Sequence, residues 1–235
     1  MKDVKPDFRI MEDNEQVPIG FQRFNYHMIF GVKMEDFRQK SRLVAGGNTT
    51  KPPETITYAS VVSRETFRIA LMLEALNGLE VKVADIHNSY ITAPVTEKIW
   101  TVLGKGFGQD DGKREIIGRA IYGLKSAGAA FRNHLADCMK HLGYTPCCAD
   151  PYIWLKPMVR PSDVFKYYGY ILLYVDDVMV VHNDALDVLM NINKYFKLKP
   201  NSIGDPNIYL GAKLKKMIMA NKVWECAISP ARYVR

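Results

Sequence analysis

The sequence predicts an α+β fold built on a split βαβ sheet with helices on one face. Three observations carry that prediction. EVKVADI, residues 80–86, alternates apolar and polar in the period of a strand, while neighbouring segments repeat with helical spacing. GYILLYVDDVMVVHND, residues 169–184, reads as two apolar strands joined at a pair of aspartates. Along the chain the order is strand, helix, strand, strand, helix, with extra hairpins.

Residues 1–60 are mixed and loop-rich, with strand-like pieces such as HMIFGVKM. SRETFRIALMLEALNGL, residues 63–79, predicts a helix with Phe67, Ala70, Leu71, Leu73 and Leu76 in its apolar stripe, stopped at Gly78. Residues 104–118 read as a glycine-rich loop feeding a short strand, and their spacing fits no Walker or dinucleotide fingerprint. AGAAFRNHLADCMKHLGY, residues 127–144, is a helix with Phe131, Leu135, Met139 and Leu142 on one side. DALDVLMNINKYFKL, residues 184–198, is another, with Asp184 as N-cap. Residues 208–229 read as a hairpin turning near Asn221.

The chain has 235 residues, 48% of them hydrophobic, enough to bury a core in one large domain or two small lobes. Its net charge of +7 hints at an anionic partner. Seven lysines and one acid lie between Lys194 and Lys222, so +6 of that excess sits there. They form either a solvated face or a strip that holds a phosphate backbone. The four cysteines show no CxxC pairing, which predicts reduced thiols and an intracellular protein. His134, Cys138 and His141 share a helical face by spacing, but no fourth zinc ligand is apparent. The apolar runs are far short of a membrane span, and no secretory leader is visible.

Asp176 and Asp177 repel each other, and in a strand they point to opposite faces. A tight hairpin turn accommodates both. The flanks are apolar on each side, so the tip belongs to a buried hairpin whose carboxylates need compensation. A hard divalent cation such as Mg²⁺ supplies it. Asp85, at the end of its own strand, is the third carboxylate. Three carboxylates can hold two Mg²⁺ ions for in-line phosphoryl transfer.

These residues carry a resemblance. YVDD between apolar strands, with an upstream aspartate and an aromatic five residues on, resembles the palm of reverse transcriptases, and more specifically the copia type from retrotransposons. KSRLVAGG (40–47), VADIHNSYITAPVTEKIW (83–100), AIYGLKSAGAAF (120–131) and IGDPNIYLGAKL (203–214) resemble that family's motifs in the right order. The resemblance covers roughly residues 15–235.

It implies an RNA-directed DNA polymerase that adds dNTPs to a primer 3′-hydroxyl on an RNA or DNA template, with two Mg²⁺ ions held by Asp85, Asp176 and Asp177. It implies nucleotide contacts from Lys40, Arg42, Tyr90, Gly123 and Lys125. Tyr90 would sit beneath the incoming sugar, where a flat ring excludes a 2′-hydroxyl. Tyr209, Leu210, Gly211, Lys213, Lys215 and Lys216 fall where the family grips primer and template. Lys199 lies near the place of a lysine that protonates pyrophosphate in related polymerases. Residues 1–60 and 93–126 would be discontinuous fingers, 61–92 and 127–212 the palm, and 213–235 the palm end and the start of a truncated thumb. Integrase and RNase H domains of a polyprotein are the implied partners, with no membrane. Copying in cytoplasmic particles, with product entering the nucleus, follows from the family.

The chain departs from the family pattern after YGLK. Ser126, Gly128, Ala129 and Phe131 stand where glutamine, proline, arginine and tryptophan are usual. With the missing thumb, that departure supports an alternative: a non-catalytic nucleic-acid-binding remnant of such an element.

Overall fold

The structure, a computed structural model, describes residues 8–33, 37–54, 56–206, 208–209, 212–218 and 224–229. In chain order its elements are β1 (Phe8–Ile10), β2 (Gln22–Arg23), β3 (Tyr26–Val32), β4 (Gln39–Ala45), α1 (Arg64–Asn77) and β5 (Glu80–Asp85). Then come α2 (Ser89–Thr92), β6 (Pro94–Val102), β7 (Arg114–Arg119), α3 (Ala127–His141), β8 (Thr145–Pro146) and β9 (Ile153–Val159). β10 (Lys166–Tyr174), β11 (Asp177–His182), α4 (Ala185–Asn193), β12 (Ile208–Tyr209), β13 (Ala212–Ile218) and β14 (Trp224–Ser229) follow. The chain divides into two compact units, Met1–Ala59 with Asn88–His134, and Ser60–His87 with Leu135–Arg235.

The first unit holds a sheet in the order β1-β7-β6-β2 and the separate hairpin β3–β4. Two motif segments are laced together in it. The Ala45 N–H donates to the Tyr122 carbonyl at 2.7 Å. Gly123 has φ +90°, and a Cβ there would lie 2.1 Å from the Ala45 carbonyl oxygen. A Cβ on Gly47 would lie as close, 2.1 Å, to the Gly123 carbonyl oxygen. Both glycines are required because two backbones cross in contact.

The second unit carries a sheet in the order β5-β11-β10-β9-β8. β11 is antiparallel to both β5 and β10. β5 and β10 therefore run parallel with β11 inserted between them, which is the split βαβ plan. Ser63 caps α1 by accepting from the Thr66 N–H, and Gly78 closes it in the left-handed region. Asp150 reinforces that cap by accepting from the Ser63 N–H and the Thr66 hydroxyl.

α1 buries Phe67, Ala70, Leu71 and Glu74, the i, i+3, i+4, i+7 set. Its apolar members pack with Val81, Leu172, Met179 and Val181. The expected stripe is therefore corrected at one end: Leu76 is 73% exposed. Both faces of β11 are covered. Val178 and Val180 point away from Met179 and Val181, yet all four are fully buried. A strand covered on both faces needs the unbroken apolar run that VMVV provides.

The last two helices end earlier than their periodicity predicts. α3 stops at His141, before Gly143 at φ +82°. α4 stops at Asn193, whose side chain accepts from the Leu198 N–H at 2.9 Å. The chain beyond it turns back along the free edge of β5 (Ile86 bridges Leu198, and Val83 bridges Gly204). β13 and β14 form the expected hairpin, and Asn221 lies outside the described residues.

Gly123→Ala should destabilise the chain by about 2 kcal/mol or more, because both the left-handed φ and the backbone contact penalise a Cβ. Gly31→Ala, with nothing within 4 Å of its Cβ, should change stability by less than about 0.5 kcal/mol. Thermal denaturation of the two variants checks the pair.

Candidate active site

Pairing of β5 with β11 runs from Glu80 opposite His182 to Asp85 opposite Asp177. Cross-strand partners share a face, so Asp85 and Asp177 point the same way from adjacent strands. On the other side Asp177 pairs with Tyr174, leaving Val175 and Asp176 as the two-residue turn. The expectation that both aspartates occupy the turn is thus corrected: Asp177 already belongs to the strand, where its N–H and carbonyl can join the ladder. Val175 takes φ +55°, a strained conformation for a β-branched residue. The Asp176 carbonyl accepts from the Ile86 N–H at 2.9 Å, tying the turn to the residue after Asp85.

The electrostatics follow from this crowding. Burial, reinforced by the charges of Asp176 and Asp85, pushes the Asp177 carboxyl up to about 6, against the opposing pull of Lys199. Oδ2 of Asp85 is ion-paired with the Lys199 ammonium. Oδ1 of Asp85 is buried with no hydrogen-bond partner. Ser202 completes the surroundings, its hydroxyl oxygen accepting from the Asp85 N–H at 2.8 Å.

The chemistry of this donor set suits a hard cation: Asp85 and Asp177 end adjacent strands, Asp176 lies in the β10–β11 turn, and one Asp85 oxygen is buried and unpartnered. As they stand, no three His, Cys, Asp or Glu side chains converge closely enough to hold a metal ion among the described residues. His141, from the histidine and cysteine set noted above, packs its ring against Tyr195.

In the first unit the structure gathers a different set. The Tyr90 ring lies 4.6 Å from Tyr122 and 6.0 Å from Phe131. The Arg42 guanidinium lies 5.6 Å from the Tyr122 centroid, a cation–π contact. Arg42 and Tyr90 are thus linked through Tyr122. Lys40 is exposed two residues along β4, on the same face as Arg42. The Lys125 ammonium donates to the Thr50 carbonyl at 2.5 Å, a contact within the fold. Gly123 is accounted for by the backbone crossing. Tyr209 lies on β12, and Lys213, Lys215 and Lys216 on β13, while Leu210 and Gly211 fall outside the described residues.

Sequence reasoning missed three contributors. Tyr122 stands inside the YGLK motif but carries no charge to mark it. Val175 is an ordinary apolar residue until its φ is known. Ser202 sits far from Asp85 in sequence and left no signal. Lys199, noted for another role, is ion-paired with Asp85.

The second unit carries a split βαβ sheet with carboxylates on facing strand ends, and the first unit carries an arginine–aromatic cluster. The family comparison gives the class directly. The chain belongs to the reverse transcriptase (RNA-dependent DNA polymerase) family, whose match covers residues 11–227. It is 25% identical over 231 residues, 93% of this chain, to the retrovirus-related Pol polyprotein from transposon TNT 1-94 of Nicotiana tabacum. It is 24% and 25% identical, over 77% of its length, to the corresponding polyproteins from transposons RE1 and RE2 of Arabidopsis thaliana. The chain spans 17% of the first relative and 12% of each of the other two. These matches agree with the copia-type resemblance of the motifs.

A carboxyl raised above its ordinary range binds its proton more tightly in the folded state. Its contribution to stability is full below the ordinary value near 4 and is lost as pH rises through about 6. In chelator, Asp177→Asn should therefore raise stability at pH 7.5 by about 1–2 kcal/mol, allowing for partial exposure, and change little at pH 3.5. Denaturant titrations at the two pH values check the sign.

Proposed function

We propose that this chain is the RNA-directed DNA polymerase domain of a copia-type retrotransposon, transferring dNTPs to a primer 3′-hydroxyl with two Mg²⁺ ions. One observation carries the reading: Asp85 and Asp177 stand in register on adjacent strands, with an unpartnered Asp85 oxygen. Asp85, Asp176 and Asp177 are the residues that would hold the metal. Bound there, divalent cations lower the pKa of an attacking hydroxyl and neutralise the leaving pyrophosphate.

The chain's own residues supply binding and selection. Arg42 and Lys40 offer charge-assisted hydrogen bonds to a triphosphate. Tyr90, backed by Tyr122 and Phe131, offers a rigid flat wall against a 2′-hydroxyl. The lysines of β13, with Tyr209, Leu210 and Gly211, would hold primer and template by their backbones. On this reading the first compact unit serves as fingers and the second as palm. The template-primer and the other domains of a Pol polyprotein are the partners. Copying would take place in cytoplasmic particles, with product passing to the nucleus.

A non-catalytic nucleic-acid-binding remnant is the second reading. It is favoured by buried Ala129 and Phe131 at positions where the family motif carries arginine and tryptophan, and by Lys125 being bonded within the fold.

Primer extension on an RNA template with Mg²⁺ and dNTPs separates the two. Polymerase function predicts extension that falls at least about a hundredfold in Asp176→Asn, the scale of losing a charge-stabilising group. Extension undiminished in that variant would sink the site assignment, and none from either protein would favour the remnant. Template binding should be salt-dependent in both cases. Lys215→Ala with Lys216→Ala should lower the slope of log K against log salt by about 1–2, as fluorescence anisotropy across a salt series would read.

A further inference from the structure

The ion pair at Asp85 is built by the main chain. Residues 197–204 run along the outer edge of β5. The His87 N–H donates to the Lys197 carbonyl at 2.8 Å, and the Lys199 N–H to the Asp85 carbonyl at 2.9 Å. Val83 and Gly204 exchange two hydrogen bonds, at 2.9 and 3.1 Å. Ser202 accepts from the Asp85 N–H and donates through its hydroxyl to the Lys199 carbonyl, both at 2.8 Å. This ladder fixes the Lys199 backbone beside Asp85, so the ammonium reaches the carboxylate without an extended search. An exposed surface pair has no such frame and contributes little. Here both partners are partly covered, with side-chain exposures of 42% and 27%.

The place is also chemically specific. Lys199 engages one oxygen of Asp85, and the other oxygen is buried and unpartnered. The ammonium thus offsets part of a charge that would otherwise stand uncompensated beside two more carboxylates. A divalent cation on the same carboxylate would meet a positive charge already bound there.

We infer that Lys199 is the resident counter-ion of Asp85, and that a divalent cation must displace its ammonium in order to be held at Asp85. This rests on the polymerase reading of the three carboxylates. It differs from proton donation to pyrophosphate, because the amine acts here before any substrate is present. Lys199 is a positioning residue for the free site: it holds the Asp85 carboxylate in place, and it sets the cation concentration at which the site fills. The step moves no covalent bond; an ammonium leaves and a cation enters.

Two measurements on the full chain test it. The first is Mn²⁺ binding followed by the electron paramagnetic resonance of the free ion, without nucleic acid. Removing a competing cation in Lys199→Met should tighten Mn²⁺ binding roughly three- to tenfold, the scale of a partly exposed ion pair. The second is acylation of wild-type lysines by an amine-reactive ester, read by mass spectrometry with and without Mg²⁺. Modification of Lys199 should rise severalfold with Mg²⁺, relative to Lys140, whose surface pair with Asp137 serves as reference. Labelling of Lys199 that stays level or falls while Mn²⁺ still binds would overturn the displacement and leave the metal reading standing. Tighter binding in Lys199→Met without that rise would mean repulsion at a distance, which also overturns it. No Mn²⁺ binding by either protein would overturn both readings. If Lys199→Met fails to fold, the wild-type labelling decides alone.

Discussion

The register of β5 against β11 is the constraint on which the rest depends. Six consecutive pairs, from Glu80 with His182 to Asp85 with Asp177, bring two carboxylates face to face at the end of a dry strand. A slip of one residue would turn Asp177 to the opposite face and exchange the Met179 and Val181 set for the Val178 and Val180 set. Both sets are fully buried against different surroundings, so the slip would mismatch packing on two faces at once. The position of the carboxylates is thus enforced by apolar packing several residues away. Hydrogen bonds from Ile86 to Asp176, and along the edge from Lys197 to Gly204, extend the same register to the turn and to Lys199.

Much of this was legible in the sequence. The alternation of EVKVADI, the apolar run on each side of the aspartate pair, the Asp184 cap and the Gly78 stop all express local rules, and local rules leave local marks. The split βαβ plan followed from the order of elements. What could not be read were consequences of distant packing. Leu76 repeats with helical spacing, yet the helix turns its Glu74 inward instead. α4 could have continued to Leu198 by periodicity, but that segment is claimed by the free edge of β5. The two faces of β11 look alike in composition, so the number of covered faces was not decidable from apolar content alone.

The candidate site shows the same division. Asp85, Asp176 and Asp177 announced themselves because charged residues interrupting an apolar run demand an explanation. Gly123 also announced itself, and the fold gives it one reason of its own, the crossing with Ala45 and Gly47. Lys125 reads as a nucleotide contact in a motif and is, in the fold, a donor to the Thr50 carbonyl. Tyr122 shows the reverse. Nothing in its identity marks it, yet it joins the Arg42 cation to the Tyr90 ring. A motif records which residues matter together without recording which of them hold the loop and which face a ligand.

The charge balance at the strand end explains why one lysine has such leverage. With all groups ionised, three carboxylates and one ammonium leave a net charge of −2 on partly buried side chains. The fold tolerates this because the residues that fix the strands are apolar and buried, and owe nothing to the carboxylates. Three reliefs act on the remaining repulsion: a proton on Asp177, the ammonium on Asp85, and a cation from solution. They compete, since each reduces the field that attracts the others. On the displacement proposal, a cation arriving from solution has to expel the ammonium already at Asp85. Val175, with its left-handed φ of +55°, forms with Asp176 the two-residue turn that carries the third carboxylate. On the polymerase reading, carboxylates held this close would gain from a bound cation, and the buried hairpin supplies the rigidity that keeps them so.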